Sequence, residues 1–187
     1  MRADARHNVE VIRQAALEVF RANGVTSPLE EVARVAGKAK GTIYHRFGGR
    51  AGLIDAVIDE LVASQVDEII RDVGALDAAP AERFEQYLLR MWSLQFDEPA
   101  ANDVLLRVSP DSEVLIALCD RARTFALELL ESGQSSGGIR PDLTEDDLHG
   151  VIWERGVIAR QTDSSRAEYL RRCEFVLRGL RAHGDER

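Results

Sequence analysis

Residues 37–47 read Gly37-Lys38-Ala39-Lys40-Gly41-Thr42-Ile43-Tyr44-His45-Arg46-Phe47, and they contain both lysines of the chain. Two short stretches with helical period meet at Gly37, which predicts a helix-turn-helix whose second helix covers about residues 40–46. Ile43 and Phe47 are four residues apart, so we expect both side chains to face inward as anchors. The polar side chains of the stretch then lie on its outer side.

This basic stretch belongs to a chain that is acidic as a whole. There are 24 lysines and arginines against 32 aspartates and glutamates, which gives a net charge of −8. Residues 1–55 carry nine basic against six acidic side chains, a net charge of +3, which leaves −11 for residues 56–187. The cationic site favours duplex phosphate as its partner, and the acidic remainder would limit indiscriminate binding to DNA. Solubility alone is an equal alternative explanation for the acidic remainder.

A recognition helix in the major groove must offer hydrogen-bond donors to phosphates and base edges. We expect Lys40 to contact a phosphate or a guanine, and Thr42 to contact a phosphate or a thymine methyl group. Gly41 would let the backbone approach closely, and the free amides near Ser27 would bind a further phosphate. The alternative is a solvated polar face on a small three-helix bundle. The predicted DNA-binding residues are Ser27, Lys38, Lys40, Gly41, Thr42, Tyr44, His45 and Arg50.

Helical periodicity runs through nearly the whole sequence, and no segment shows the apolar–polar alternation of a strand. We therefore predict an all-α protein of about nine helices. Ser27 is a candidate N-cap of the second helix, with Pro28 at the first helical position and Glu30 completing a capping box. The predicted helices cover about residues 9–22, 28–37, 40–46, 50–70, 81–96, 101–108, 111–132, 144–162 and 165–182.

The fourth predicted helix is long enough to lead out of the small N-terminal domain, so the linker is expected to be a continuous helix. We place a helix-turn-helix domain at residues 1–52 and a C-terminal helical domain at residues 53–187. Glycine and serine dominate residues 132–138, which predicts a flexible surface loop. Neither a leader peptide nor a long apolar segment is present, which favours the cytosol and excludes a membrane partner.

One ordered set of residues runs through positions 9–58: Ile12, Ala15, Ala16, Phe20, Gly24, Val32, Ala33, Ala36, Gly37, Gly41, Thr42, Ile43, Tyr44, Phe47, Arg50 and Leu53. With this set, the segment resembles the TetR (tetracycline repressor) family of bacterial transcription regulators. The resemblance implies a DNA-binding N-terminal domain, a C-terminal domain with a small-molecule pocket, dimerisation through the last two helices, and ligand-controlled release from a palindromic operator. A continuous fourth helix could transmit a ligand-induced tilt to the DNA-binding domain.

Two positions depart from the family pattern just before the recognition helix. The family usually has an aliphatic residue at position 38 and a serine or threonine at position 39, whose hydroxyl caps the helix. Lys38 and Ala39 stand there in this chain, and loss of such a cap costs about 1 kcal/mol. The aliphatic stem of Lys38 can still cover apolar surface while its ammonium reaches toward a phosphate.

Two apolar groups in the C-terminal part are candidates for dimerisation and ligand binding. We expect a homodimer with a four-helix seam, although each stripe could instead cover the core of its own subunit. The seam residues are Val151, Ile152, Ile158, Ala159, Leu170, Cys173, Val176, Leu177 and Leu180. An apolar or aromatic effector would bind an aromatic-rich pocket, although most of these side chains could be ordinary core. The pocket residues are Phe84, Tyr87, Leu88, Met91, Trp92, Phe125 and Trp153.

No arrangement in the sequence indicates catalysis. There is no Cys/His ligand spacing, no nucleophile elbow and no phosphate-cradling glycine loop. Cys119 and Cys173 lie in apolar helical patterns typical of buried thiols. We therefore expect no enzyme activity, no catalytic residue, no metal site and no cofactor. The alternatives are a regulator of the same fold that senses no ligand or activates transcription, and, less favoured, a helical enzyme.

Overall fold

Ten α-helices and one π-helical segment are present in the structure, a computed structural model that describes residues 2–106 and 113–182. The all-α prediction is confirmed for this part of the chain, and none of its helices is long and apolar enough to span a membrane. Parts of the helices predicted at residues 101–108 and 111–132 lie outside the described residues. The helices are α1 (Arg2–Asn23), α2 (Leu29–Val35), α3 (Lys40–Phe47), α4 (Arg50–Asp55), α5 (Ser64–Gly74), α6 (Pro80–Asp97), α7 (Pro99–Leu105), α8 (Glu113–Ser135), α9 (Glu145–Gln161) and α10 (Arg166–Leu180), with the π-helical segment at Asp59–Ala63.

The chain divides into two compact units. One comprises residues 1–65 and 98–119, and the other comprises residues 66–97 and 120–187. The predicted domain boundary between residues 52 and 53 falls inside the first unit. The division into a DNA-binding domain at residues 1–52 and a C-terminal domain at residues 53–187 stays a prediction.

The core of the first unit forms around α1. Helical spacing places one apolar stripe on its inner face, and Gly24, with a φ of 88°, ends the helix. The stripe packs against α2, while α7 and the π-helical segment also contact α1. Its members are all buried: Ile12, Ala15, Ala16, Val19 and Phe20.

The second unit is built on α6, which packs against α9 and α10. Both of these partner helices begin with a reciprocal cap. Thr144 and Asp147 form the cap of α9, and Ser165 and Glu168 form the cap of α10. Such caps satisfy amide donors that the first turn of a helix leaves open, so the starts of α9 and α10 are well defined.

The continuous helix predicted at residues 50–70 is wrong. The helix ends at Asp55, and the π-helical segment follows before α5 begins. A long-range contact accompanies the interruption: Nε of Arg13 donates to the carbonyl oxygen of Ala56 at 3.0 Å. The amide of Glu60 donates to Val57, three residues back, at 3.1 Å rather than to Ala56. A helix pattern in the sequence does not reveal a carbonyl that is taken by another helix.

Arg21 adds a second contact from α1 to the same interruption. Its Nη2 donates to the carbonyl oxygen of Glu60 at 2.8 Å. The carboxylate of Glu60 also accepts from Nη2 of Arg13 at 2.5 Å. Two arginines of α1 therefore hold the backbone where the fourth predicted helix is interrupted.

The flexible loop predicted at residues 132–138 is largely wrong. Helix α8 continues to Ser135, and Gly137 turns the chain with a φ of 75°. The amides of Gly138 and Ile139 both donate to the carbonyl oxygen of Gly133 at 3.1 Å. Ile139 is fully buried beside this turn. The glycines serve a tight helix end rather than a mobile segment.

Candidate nucleic-acid interface

A compact turn joins α2 to α3. Gly37 has a φ of 61°, a left-handed conformation that favours glycine. The amide of Lys38 donates to the carbonyl oxygen of Ala33 at 2.9 Å, and that of Gly37 donates to Arg34 at 3.2 Å. These bonds close the end of α2, so the predicted helix-turn-helix is present with its turn at residues 36–39.

The inner side of α3 is anchored mainly at its centre and its end. Ile43 is fully buried, as predicted, whereas Phe47 is only half-buried. Gly48 ends the helix with a φ of 73°, and its amide donates to Tyr44 at 2.9 Å. A Cβ at Gly52 would stand 1.9 Å from the carbonyl oxygen of Phe47. Glycine at that position thus allows the backbone of α4 to contact the end of α3.

The outer side of α3 presents most of the predicted DNA-binding residues together. Tyr44 is 51% exposed, and nothing lies within 4 Å of the position of a Cβ at Gly41. The side chains of Lys38 and Thr42 are half-buried at its edge. The exposed residues on this helix are Lys40, Gly41, Tyr44, His45 and Arg46.

Lys40 is held by an ion pair with Glu30 of α2. The Nζ–Oε1 distance is 2.5 Å, and the side chains are 43% and 63% exposed. The hydrogen bond raises the pKa of Lys40 and lowers the pKa of Glu30. The same ammonium lies 5.6 Å from the centre of the Tyr44 ring. Three side chains from two helices therefore form one polar cluster on the outer face.

The capping role predicted for Ser27 and Glu30 is wrong. Pro28 occupies the cap position of α2, and no side chain caps that helix. Ser27 lies one residue earlier, where its buried hydroxyl donates to the carbonyl oxygen of Gly24 at 2.8 Å. Its side chain is therefore engaged inside the unit, and DNA contact through the neighbouring amides stays a prediction.

Arg50 and Ala39 occupy the two ends of the α3 region. Nη1 of Arg50 donates to the carbonyl oxygen of Val25 at 2.5 Å, so part of this guanidinium stabilises the connection between α1 and α2. The absence of a hydroxyl cap expected at Ala39 is confirmed, since no side chain caps the start of α3. The amide of Thr42 in the first turn donates to the carbonyl oxygen of Ala39 at 2.9 Å, so a backbone bond rather than a side chain closes this turn.

Two residues of the polar face are missing from the predicted set. Arg46 is exposed in the last turn of α3, and its position four residues after Thr42 is a helical-spacing signal that could have found it. Glu30 has no comparable local signal, because its partner Lys40 lies on another helix. The pairing depends on how the turn sets α2 against α3.

Six of the seven predicted pocket residues lie in the interior of the second unit or at its edge. Phe125 is half-buried, and its ring lies edge-on to Tyr87 at a centroid distance of 5.5 Å. Trp92 is fully buried, and its Nε1 has no hydrogen-bond partner within the described ranges. Trp153 is 47% exposed on α9 and lies outside this buried group, and its predicted contact with an effector stays a prediction. The five α6 residues, each at most 1% exposed, are Phe84, Tyr87, Leu88, Met91 and Trp92.

The two apolar stripes predicted to form the dimer seam are only partly accessible to a second subunit. Three members on α10 are buried within the subunit, namely Cys173, Leu177 and Leu180. The other six are half-buried. The largest exposed apolar side chains on these two helices are Trp153 and Phe175, at 47% and 55%. Across residues 2–106 and 113–182, no group of three or more His, Cys, Asp or Glu side chains could hold a metal ion.

Comparisons with known proteins agree with the geometry of the first unit. Residues 12–57 match the profile described as "Bacterial regulatory proteins, tetR family". Over 57 residues, the chain is 40% identical to the uncharacterized HTH-type transcriptional regulator TtgW of Pseudomonas putida, which is 30% of this chain and 42% of that protein. The chain thus spans less than half the length of the curated relatives it matches.

Solved structures resemble the chain over nearly its full length. The TetR transcriptional regulator SCO0520 from Streptomyces coelicolor is 27% identical, with 94% of this chain and 99% of that one covered and a TM-score of 0.54. The transcriptional regulator FadR from Bacillus subtilis, solved in complex with stearoyl-CoA, is 21% identical, with 90% and 95% covered and a TM-score of 0.60. The second likeness concerns the fold alone.

Proposed function

We propose that this chain is a transcription regulator that places α3 in the major groove of duplex DNA, because residues 12–57 match the profile of the tetR family of bacterial regulatory proteins. The observation that carries the proposal is the division of α3 into a buried anchor, Ile43, and an exposed polar face with Lys40 and Tyr44. Donors on such a face can reach phosphates and base edges. The proposed place of action is the bacterial cytosol, where the DNA is.

The direct test is a gel shift with the region upstream of the protein's own gene at rising salt concentration. Binding that neutralises phosphates should weaken steeply as salt increases. Lys40→Ala and Tyr44→Ala should abolish the shift and leave thermal melting nearly unchanged, since both side chains are exposed. Arg71→Ala is the matched control, because Arg71 is a 69% exposed cation in the second unit. Normal binding by both α3 variants would contradict the site.

The regulator is proposed to act as a homodimer through α9 and α10, with two copies of α3 about 34 Å apart on a palindromic operator. Support comes from the exposed rings of Trp153 and Phe175, which a monomer would leave in water. Phe175→Glu should shift the protein from dimer to monomer in sedimentation equilibrium. Ile116→Glu alters a 48% exposed apolar side chain in the first unit and should not. A variant that remains dimeric would rule out this seam.

Repression relieved by a small apolar or aromatic effector is the proposed mode of regulation. Phe84, Tyr87 and Met91 are buried on α6, so an effector would have to enter the interior of the second unit. There Nε1 of Trp92, which has no hydrogen-bond partner among the described residues, offers a donor to an effector oxygen. Stearoyl-CoA, the ligand of FadR, is the first probe, followed by neutral aromatic compounds. An effector should raise the melting temperature and lower DNA affinity, and Trp92→Phe should weaken both effects.

A regulator of the same fold that senses no small molecule is the second candidate. The full burial of the five α6 side chains favours it, because a packed core needs no ligand to fill it. DNA binding that no compound alters would support this candidate over the first. In both cases the family is one of regulators, and no enzymatic activity is proposed.

A further inference from the structure

The Glu30–Lys40 ion pair lies on the face that is proposed to meet DNA. Both side chains are substantially exposed, at 63% and 43%, and a bond of 2.5 Å joins them. The pair carries no net charge, so at a distance Lys40 contributes little attraction to a polyanion. A phosphate that approaches Lys40 also meets the carboxylate of Glu30, which repels it.

Such an ion pair affects the protein's affinity for arbitrary DNA and for a matching DNA sequence differently. Binding to arbitrary DNA is almost entirely electrostatic, so neutralising one cation weakens it directly. A matching sequence adds hydrogen bonds and apolar contacts to base edges, and these contacts can offset the cost of opening the pair. A carboxylate paired with a recognition lysine thus weakens the complex with arbitrary DNA more than the complex with a matching sequence.

We propose that Glu30 is a specificity-determining residue: it holds Lys40 away from the phosphates of arbitrary duplexes and releases it only when α3 fits its own target sequence. This inference rests on the proposed function. It assigns Glu30 a role opposite to that of the basic and aromatic residues on α3. Removing the charge of Glu30 should improve DNA binding, whereas removing their side chains should weaken it.

Glu31 provides a matched comparison on the same helix. Its carboxylate accepts from Nδ2 of Asn23 at 3.3 Å, and it forms no ion pair with any residue that the structure describes. Glu30→Gln and Glu31→Gln remove the same charge from adjacent positions, but only the first releases Lys40. A general change in net charge would affect both variants alike.

The experiment compares wild type, Glu30→Gln, Glu31→Gln, Lys40→Met and the double variant Glu30→Gln/Lys40→Met. Two duplexes of equal length and composition are used, one selected from a random pool by the wild-type protein and one scrambled. Affinities for both are measured by fluorescence anisotropy over a range of salt concentrations.

Glu30→Gln should tighten binding to the scrambled duplex by about two- to fivefold. The slope of log affinity against log salt should steepen by about 0.9, the value for one additional phosphate contact. Binding to the selected duplex should change less, so the ratio of the two affinities should fall. Glu31→Gln should leave the ratio unchanged. In the Lys40→Met background, measured at low salt where binding to both duplexes is still detectable, Glu30→Gln should have a smaller effect than in the wild-type background, because only the direct repulsion between Glu30 and phosphate remains to be removed.

Two outcomes would overturn the inference while leaving the proposed function intact. If Glu30→Gln weakens only the selected complex, Glu30 contacts bases directly. If Glu30→Gln and Glu31→Gln act equally, the effect is one of net charge. A wild-type protein that enriches no duplex at low salt overturns both proposals, and it does so before any variant is compared.

Discussion

Helices α3 and α10 are defined by local interactions at opposite ends: α10 at its start and α3 at its end. At the start of α10, the hydroxyl of Ser165 accepts from the amide of Glu168 at 3.3 Å, and the carboxylate of Glu168 accepts from the amide of Ser165 at 2.9 Å. Helix α3 follows Ala39 at its cap position without any side-chain cap, and glycines define its end. A helix that serves structure can satisfy its own first turn, whereas a helix that meets a partner can leave that turn without a side-chain cap.

Gly52→Ala should have the largest effect, because it removes the fixed end of α3. The added methyl group would stand 1.9 Å from the carbonyl oxygen of Phe47, so α3 and α4 must separate. We expect a loss of about 1–3 kcal/mol of unfolding free energy in urea titrations. Gly150→Ala, in a helix position with nothing within 4 Å, is the control and should gain about 0.5–1 kcal/mol. Equal stability of the two variants would show that the end of α3 is not fixed in this way.

Ser165→Ala tests the fixed start of α10. Loss of this cap should lower the unfolding free energy by about 1 kcal/mol, measured in the same titrations. Ser64→Ala is the comparison, because the exposed hydroxyl of Ser64 makes no hydrogen bond within the described part of the chain. If both substitutions cost the same, the cap does not define the start of α10.

Gly41→Ala should separate stability from DNA binding at the uncapped start of α3. The position has ordinary helical backbone and nothing nearby, so alanine should stabilise the protein by about 0.5–1 kcal/mol. The methyl group would stand between α3 and an approaching duplex, and DNA affinity should fall by about tenfold in anisotropy titrations. Gly150→Ala should give the same gain in stability with unchanged affinity. Unimpaired binding by Gly41→Ala would mean that DNA does not approach this position.

The smallest of the four expected effects is a loss of stability at low pH, caused by the capping carboxylates of α9 and α10. Hydrogen bonds from Ser165 and Thr144 lower the pKa values of Glu168 and Asp147 in the folded protein. The resulting stabilisation is present above the unfolded-state pKa and is lost as the pH falls through the folded-state pKa. Thermal melting between about pH 6 and pH 3 should therefore depend less on pH in Glu168→Gln than in wild type. Identical pH profiles would exclude a contribution from this carboxylate.

Local patterns in the sequence predict most of the fold and the outer face of α3. Apolar spacing finds the helices, and Gly37 with the residues after it finds the turn. The failures are contacts between distant residues. Arg13 takes the carbonyl of Ala56, 43 residues away, and Glu30 pairs with Lys40 on another helix. Neither contact produces a periodic signal, because each depends on how the helices pack.

Local patterns also fail where one sequence motif is compatible with more than one structure. Ser27 and Glu30 match a capping box, but Pro28 takes the cap position and leaves Ser27 buried one residue earlier. Trp153 fits an aromatic-rich pocket by sequence, and only packing decides that its side chain is exposed on α9. The buried α6 residues were identifiable by spacing, whereas their proposed contact with an effector depends on a molecule that the sequence does not encode.

Two arginines of α1 contact the interruption near residues 56–63, at the carbonyl oxygens of Ala56 and Glu60. A peptide of residues 50–74 excised from the protein would lack both contacts. Because each contact joins residues about 40 positions apart, it forms only after the chain has closed a long loop. These two hydrogen bonds therefore report whether α1 is in place against the segment.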